Sequence, residues 1–410
     1  MDHSLLISLA EEYGTPLYVY FEDIIKNRCE HVRELMSKYF RNFMITYACK
    51  ANSNPRILEI MRGYGFGVEA VSWGEILSAF RAGYSGREII FDGVSKCDYE
   101  IEKAVLSDVL IINVESLEEI DVIGRITEKL DKESRVGVRF NLDIHIKAHR
   151  YVRTGTRGSK FGVDLKDWFK AYSRILKWRK LNALGIHSHI GSMIGEINPF
   201  VQNMSKLMDI AGMILDKLGI ELKYVDIGGG FGVSYAYDKG IDLDKCLKEV
   251  SRKYFEKCNE YGLNEPTVVI EPGRYLVAES GILLTKVNYV KESGGRRWIL
   301  VDAGMNDLIR PALYGAKHRI INLSNEHGEE AVYSIGGPIC ESSDVFLLDG
   351  EFPETRRGDI LAILDVGAYG YSMASNYNSR PRPMEILVSK DKVKIIRKRE
   401  RYEDILRLVV

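Results

Sequence analysis

Eight short apolar runs, each followed by an amphipathic stretch, and a terminal block of closely spaced strands predict an α/β fold. The architecture is a (β/α)8 TIM barrel followed by a C-terminal all-β, sandwich-like domain. The runs are FMITYACK (43–50), FGVEAV (66–71), EIIFDG (88–93), VLIINV (109–114), RVGVRF (135–140), ALGIHSH (183–189), KYVDIG (223–228) and TVVIEP (267–272). Eight parallel strands with intervening helices occupy about 250 residues when closed into a barrel, which places the barrel over 26–275.

The first helix is the clearest. Ser53 or Asn54 can cap it, Pro55 suits its first turn, and Ile57, Leu58 and Met61 form an apolar stripe before Gly63. From Asn198 to Leu218, apolar residues at Phe200, Val201, Met204, Leu207, Met208, Ala211, Leu215 and Leu218 predict a helix packed on a barrel wall. Beyond residue 276 the pattern changes to short strands: GILLTKVNYV, RRWILVDAG, AVYSIGG, DVFLLDG, DILAILDV and MEILVSKDKVKIIR. These build the β domain, over 276–410, and the orphan strand TPLYVYF, within 1–25, is expected to join it.

Composition narrows the class. The 410 residues are 45% hydrophobic and 28% charged, the values of a folded globular chain rather than a disordered or fibrous one. Lys and Arg total 57 against 58 for Asp and Glu, a net charge of −1 that offers no global footprint for nucleic acid or an anionic membrane. No apolar run reaches the roughly 18 residues of a bilayer span, and MDHSLLISLAEEYG does not read as a secretory leader, so the expected location is cytoplasmic. Six scattered cysteines without a CxxC pair indicate neither a disulfide framework nor a zinc finger.

In such a barrel the chemistry sits at the C-terminal ends of the strands. Those ends carry Lys50, Glu69, Asp92, Asn113, Arg139, His187 with His189, Asp226 with three glycines, and Glu271 to Arg274. A lysine at a strand end can be desolvated, leaving a free amine able to form a Schiff base; the plain alternative is a salt-bridged side chain. In DIGGGFG (226–232), bare backbone N–H groups can curl around a phosphate, or the glycines serve only a tight turn. EPGR (271–274) could hold a cofactor at two ends, with Glu271 on a protonated ring nitrogen and Arg274 on a phosphate or carboxylate, or form a surface ion pair. His187 and His189 share one face of a strand and admit two readings, a paired metal site or one ring stacked on a flat cofactor. In the β block, Arg310 and Tyr314 of RPALYGAKH offer a carboxylate clamp, GGPICESSD places Cys340 and Glu341 around a turn, and the loop at 367–383 is rich in Gly, Tyr and Asn.

YACKAN, HIGS, DIGGGFG, EPGR, RPALYGAKH, GGPICESSD and the GAY of 367–369 together, in this order over nearly the full chain, resemble the pyridoxal-phosphate-dependent decarboxylases of the alanine-racemase-like fold. The resemblance implies a barrel with a β-sandwich domain, pyridoxal 5'-phosphate as cofactor, an amino acid as substrate, and a head-to-tail homodimer with sites shared at the interface. It implies Lys50 as the residue joined to the cofactor, His189 stacked on its ring, and Glu271 on its ring nitrogen. Ser192, Gly229, Gly230, Gly273 and Arg274 would lie around the phosphate, Tyr369 would border the cofactor, and Cys340 would return a proton to the substrate carbon. Arg274, Arg310, Tyr314, Glu341 and Tyr369 would bind the substrate. The arginine of RPALY and the Glu after the Cys match the branch acting on meso-2,6-diaminopimelate, which yields L-lysine and carbon dioxide in the final step of lysine biosynthesis. The rivals are a sister decarboxylase for ornithine, lysine, arginine or a carboxylated polyamine, a metal-dependent hydrolase using His187 and His189, and a cofactor-binding regulatory protein. Two departures from the family pattern stand out: Glu69, where Asp is more usual, and the stretch 141–153 with His145 and His149.

Overall fold

The computed structural model describes residues 2–146, 158–235, 240–390 and 392–410. It divides into two compact units, Arg28–Val233 with Lys239–Tyr275, and Met1–Asn27 with Ser234–Asp238 and Leu276–Val410. His149 lies outside the described residues, and His145 is exposed.

After strand β1 (Leu17–Phe21), the first of these units is built on strands β2 (Phe43–Ala48), β3 (Gly67–Ala70), β4 (Ile89–Phe91), β5 (Ile111–Val114) and β6 (Ser134–Asn141). A two-residue β7 (Val163–Asp164) pairs with the end of β6, and β8 (Leu181–His187), β9 (Tyr224–Asp226) and β10 (Thr267–Ile270) follow. The ladder runs β2-β3-β4-β5-β6-β8-β9-β10 and returns to β2, parallel at every step, so the sheet closes into an eight-stranded barrel. Such strands are covered on both faces, which is why β4 and β5 are buried throughout. Ile90, Leu110, Ile111 and Val269 pack together inside the unit, with Met44, Leu184 and Tyr224 against them.

The strands are shorter than their apolar runs at the C-terminal ends. β2 stops at Ala48, two residues before Lys50, and β8 stops at His187, two before His189. The polar residues that close each run leave the ladder and form the turns at the barrel mouth. The first of these turns leads directly into helix Pro55–Gly63. Asn54 caps it by accepting from Arg56 N–H at 3.1 Å, while Asn54 N–H itself donates to Asn52 Oδ1 at 3.1 Å. Helix Asn198–Leu218 buries Phe200, Met204, Leu207, Met208 and Ala211, the face its spacing predicts.

The second unit is a nine-stranded mixed sheet. Its strands are β1, β11 (Gly281–Ser293), β12 (Arg296–Val301), β13 (Ile320–Asn322), β14 (Glu330–Gly336), β15 (Val345–Pro353), β16 (Ile360–Ile363), β17 (Met384–Ser389) and β18 (Lys392–Arg397). β1 lies between β11, antiparallel, and β17, parallel. Alternation along these strands feeds two apolar clusters, one around Leu17, Val19, Leu284 and Ile386, the other around Ile299, Tyr333, Ile335 and Leu361.

Replacing the Asn54 cap removes an acceptor for an otherwise unsatisfied helix N–H. Asn54→Ala should cost about 1 kcal/mol, measured by urea unfolding.

Candidate active site

Lys50 sits in the short turn Cys49–Ala51 that follows β2. The turn is anchored on both sides: Ala48 N–H donates to the Pro272 carbonyl at 3.3 Å and the Tyr47 hydroxyl to the Asn52 carbonyl at 3.0 Å. The Lys50 amine forms an ion pair with Glu69 of β3; Glu69 is 1% exposed and Lys50 32%. Burial pushes the Glu69 carboxyl up, Asp92 adds to the shift, and Lys50 opposes it. Lys50 is thus salt-bridged, the alternative the sequence left open, and the buried carboxyl beside it can take or return its proton.

Beyond this pair lies a buried acid cluster formed by Asp92 after β4, Asp226 at the end of β9 and Glu271 after β10. His187, ending β8, has Nε2 at 3.5 Å from Glu271 Oε2 and Nδ1 at 3.8 Å from Asp92 Oδ1. Burial pushes all three carboxyls up; Glu271 adds to the shift of Asp92 and of Asp226, and Glu69 to that of Glu271. Burial also drives His187 down to about 4, so its ring is neutral. Asp226 Oδ1 accepts from Gly228 N–H at 2.8 Å, but Asp226 Oδ2, Asp92 Oδ1, Glu271 Oε1 and both His187 nitrogens are buried without hydrogen-bond partners. Glu271 is thus a buried acid with an oxygen still to satisfy, which fits the N–H of a protonated heterocycle.

The two histidines do not act as a pair. Ligand atoms of Asp92, His187 and Glu271 lie within 4.8 Å of one another, the one such group among the described residues, and His189 is not in it. His189 lies past the strand end, and its Nδ1 accepts from Gly229 N–H at 3.2 Å, leaving the ring hydrogen on Nε2. Burial, assisted by Lys50 and Arg139, holds its pKa well below the usual histidine range, so it too presents a flat neutral ring.

Three loops interlock around the glycines. Gly228 and Gly230 have φ of +69° and +96°, and a Cβ on Gly229 would meet the Glu271 carbonyl at 2.1 Å. Ile194 N–H donates to Gly230 at 3.0 Å, and Gly232 N–H donates to Ile194 at 3.0 Å, which ties the HIGS loop to the glycine loop. Arg274 Nε and Nη2 each donate to Ser192 Oγ at 3.4 Å. Gly273 lets the EPGR turn lie on the end of β2, since a Cβ there would meet the Ala48 Cβ at 2.9 Å. A hydroxyl, bare backbone and a buried guanidinium so gathered suit a phosphate.

In the β unit, Arg310 is buried at the start of helix Arg310–Tyr314, with Tyr314 at its end half-buried. Cys340 and Glu341 are exposed on the loop after β14; Cys340 N–H donates to Asn378 Oδ1 at 2.8 Å. Asp344 steadies that loop by accepting from Ile339 and Met305 N–H groups at 2.7 and 2.6 Å. Tyr369 is half-buried with φ of +57°, a backbone setting unusual for a bulky residue and common at functional turns.

The sequence places Asp92 and Asp226 at strand ends but gives them no task; the structure puts both against Glu271. Strand-end position was the available signal, and spacing could not reveal their convergence. Because the folded Asp92 carboxyl titrates above its unfolded value, the native state retains a proton that the unfolded chain releases. The stability this contributes in acid is lost as pH rises from about 4 to about 6. Asp92→Asn removes that titration. In cofactor-free protein the variant should gain on the order of 1–2 kcal/mol relative to wild type between pH 4 and pH 7 by chemical unfolding.

The family model for the pyridoxal-dependent decarboxylase, pyridoxal binding domain, matches residues 23–278. The chain is 41% identical to a diaminopimelate decarboxylase of Aquifex aeolicus over 401 residues, 98% of this chain and 93% of that one. It resembles the crystal structure of diaminopimelate decarboxylase from Helicobacter pylori complexed with L-lysine, with a TM-score of 0.91 and 40% identity over 98% of each chain. A lysine/ornithine decarboxylase of Vibrio vulnificus shares the fold at a TM-score of 0.81 and 20% identity, covering 95% of this chain and 98% of that one. With its closed barrel, separate β unit and match to these relatives across nearly its whole length, the chain belongs to the diaminopimelate decarboxylase branch of the pyridoxal-dependent decarboxylases.

Proposed function

We propose that this chain decarboxylates meso-2,6-diaminopimelate to L-lysine and carbon dioxide with pyridoxal 5'-phosphate, the final step of lysine biosynthesis. One observation carries the reading: the Lys50–Glu69 pair, the partly unsatisfied Glu271 and the Ser192–Gly229–Gly230–Arg274 cradle meet in one barrel mouth. These residues fit the cofactor group by group. Lys50 would hold its aldehyde carbon through the amine, His189 would stack on the ring, Glu271 would keep a proton on the ring nitrogen, and the cradle would hold the phosphate. When bound, the cofactor supplies the sink for the electron pair released as the carboxylate leaves as carbon dioxide.

The chain's own side chains manage the protons. Glu69 takes the proton of the Lys50 ammonium when the amine must be free and returns it afterwards. Asp226, which burial and the neighbouring Glu271 and Asp92 hold well above the usual carboxylate range, keeps a proton within the acid cluster, leaving Glu271 to meet the ring nitrogen as the acceptor. Cys340 delivers a proton to the substrate carbon that has lost its carboxylate, giving the C–H bond of lysine. Arg310 takes the distal carboxylate, Tyr314, Glu341 and Tyr369 bind the rest of the distal amino-acid end, and Arg274 adds a cation for substrate as well as phosphate. The family resemblance supports a homodimer, and no helix among the described residues is long and apolar enough to cross a membrane.

Borohydride treatment of the purified holoenzyme should bleach its visible band and fix the cofactor on a single peptide containing Lys50; a label elsewhere would overturn the assignment. Loss of a charge-assisted pair to a substrate carboxylate costs on the order of 2–5 kcal/mol, so Arg310→Ala should lower kcat/KM for meso-diaminopimelate by about 30-fold or more. Activity toward ornithine should fall much less. A wild type that prefers ornithine or lysine would replace this reading with that of a sister decarboxylase.

A further inference from the structure

The RPALYGAKH stretch ends in His318, which has no part in the reading above. Within the β unit, Arg310 Nη1 donates to the Tyr235 hydroxyl at 3.3 Å and lies 3.1 Å from His318 Nε2. The guanidinium carbon also sits 4.9 Å from the Tyr235 ring centre, and the Tyr235 and His318 rings meet edge to face at 5.5 Å. All three residues are buried, with exposures of 5% for Arg310, 7% for Tyr235 and 8% for His318.

The tautomer of His318 follows from its two neighbours. Its Nδ1 is 2.9 Å from the Leu364 carbonyl, which can only accept, so Nδ1 carries the hydrogen. Arginine can only donate, so Nε2 offers its lone pair. His318 is therefore a neutral acceptor tied to the strand-end backbone. Nη1 has two hydrogens, and Tyr235 and His318 provide an acceptor for each. With both directed, the guanidinium cannot swing about its long stem, and its plane is set.

We propose that His318 and Tyr235 are positioning residues that hold the Arg310 guanidinium in the plane in which it reads the distal carboxylate of the substrate. A fork-shaped donor matches a carboxylate only when the two planes align, and a side chain ordered in advance loses less freedom on binding. The inference rests on the assignment of Arg310 to that carboxylate. The reaction itself provides a probe: L-lysine keeps the carboxylate that is not lost, whereas 1,5-diaminopentane has none.

The test is equilibrium binding of both compounds to the holoenzyme, alongside steady-state kinetics, for wild type, His318→Phe, His318→Gln and Tyr235→Phe. His318→Phe keeps a ring but no acceptor. It should weaken lysine binding and raise KM for meso-diaminopimelate by about 10-fold, the scale of one hydrogen bond to a charged group, with kcat and diaminopentane binding within about 3-fold of wild type. His318→Gln, whose amide can still accept from Arg310, should recover most of the loss. A His318→Phe enzyme with an unchanged lysine-to-diaminopentane ratio overturns the clamp, and so does equal weakening of both ligands. If that variant does not fold, as judged by loss of the cofactor band, Tyr235→Phe decides: a fall of about 3-fold or more in the ratio supports the clamp and no change overturns it. A wild type that does not prefer lysine to diaminopentane instead removes the assignment of Arg310.

Discussion

Four carboxyl groups buried at one end of a barrel set the terms for the rest of the catalytic unit. Glu69, Asp92, Asp226 and Glu271 are each nearly inaccessible, and the neighbouring cations are Lys50, paired with Glu69, and Arg139, paired with Glu115 at 2.7 Å. Four anions in so dry a place would repel one another at a prohibitive cost, so the cluster must keep protons at neutral pH. A chain that holds protons there has a store beside the Lys50 amine and Glu271, the two groups whose protonation the proposed reaction depends on. The neutrality of His187 and His189 belongs to the same economy of charge, because the burial that raises the acids lowers the imidazoles.

Backbone proximity supplies the second half of the site. Where Gly229 lies on the Glu271 carbonyl and Gly230 on that of Gly191, a methyl group would come within 2.1 and 2.0 Å of the neighbouring oxygen. The HIGS, glycine and EPGR loops therefore interlock through main chain, and displacement of one is felt by the others. His189 takes its tautomer from the glycine loop, and Arg274 is held near Ser192. The glycine loop, the HIGS loop and His189 are one mechanical piece.

A related solution recurs in the β unit at a single arginine. Arg310 is a cation in a buried setting, held by the Tyr235 hydroxyl and by a histidine whose tautomer is set by a carbonyl. Neutral acceptors orient the guanidinium without cancelling its charge, as a carboxylate partner would. That arrangement suits the substrate-carboxylate role proposed for Arg310.

The barrel was legible because its strands are buried on both faces, so runs such as VLIINV and RVGVRF stand out as continuous apolar stretches, and each polar residue ending a run falls at the mouth. Lys50, Glu271 and the glycines were legible for the same reason, as polar or conformationally special residues in fixed places along the chain. Residue spacing carried no information about what lies across the barrel. That Glu69 would take the Lys50 amine, that His187 would turn to Asp92 and Glu271 while His189 turned to Gly229, and that Tyr235 and His318 would meet on Arg310 depended on closure of the sheets. By itself the sequence determined the order of the strands and which chemical groups reach the mouth, because both follow from local patterns of burial. Only the tertiary structure decided which groups became neighbours, and with them the protonation states and tautomers, because those depend on distances between residues far apart in the chain.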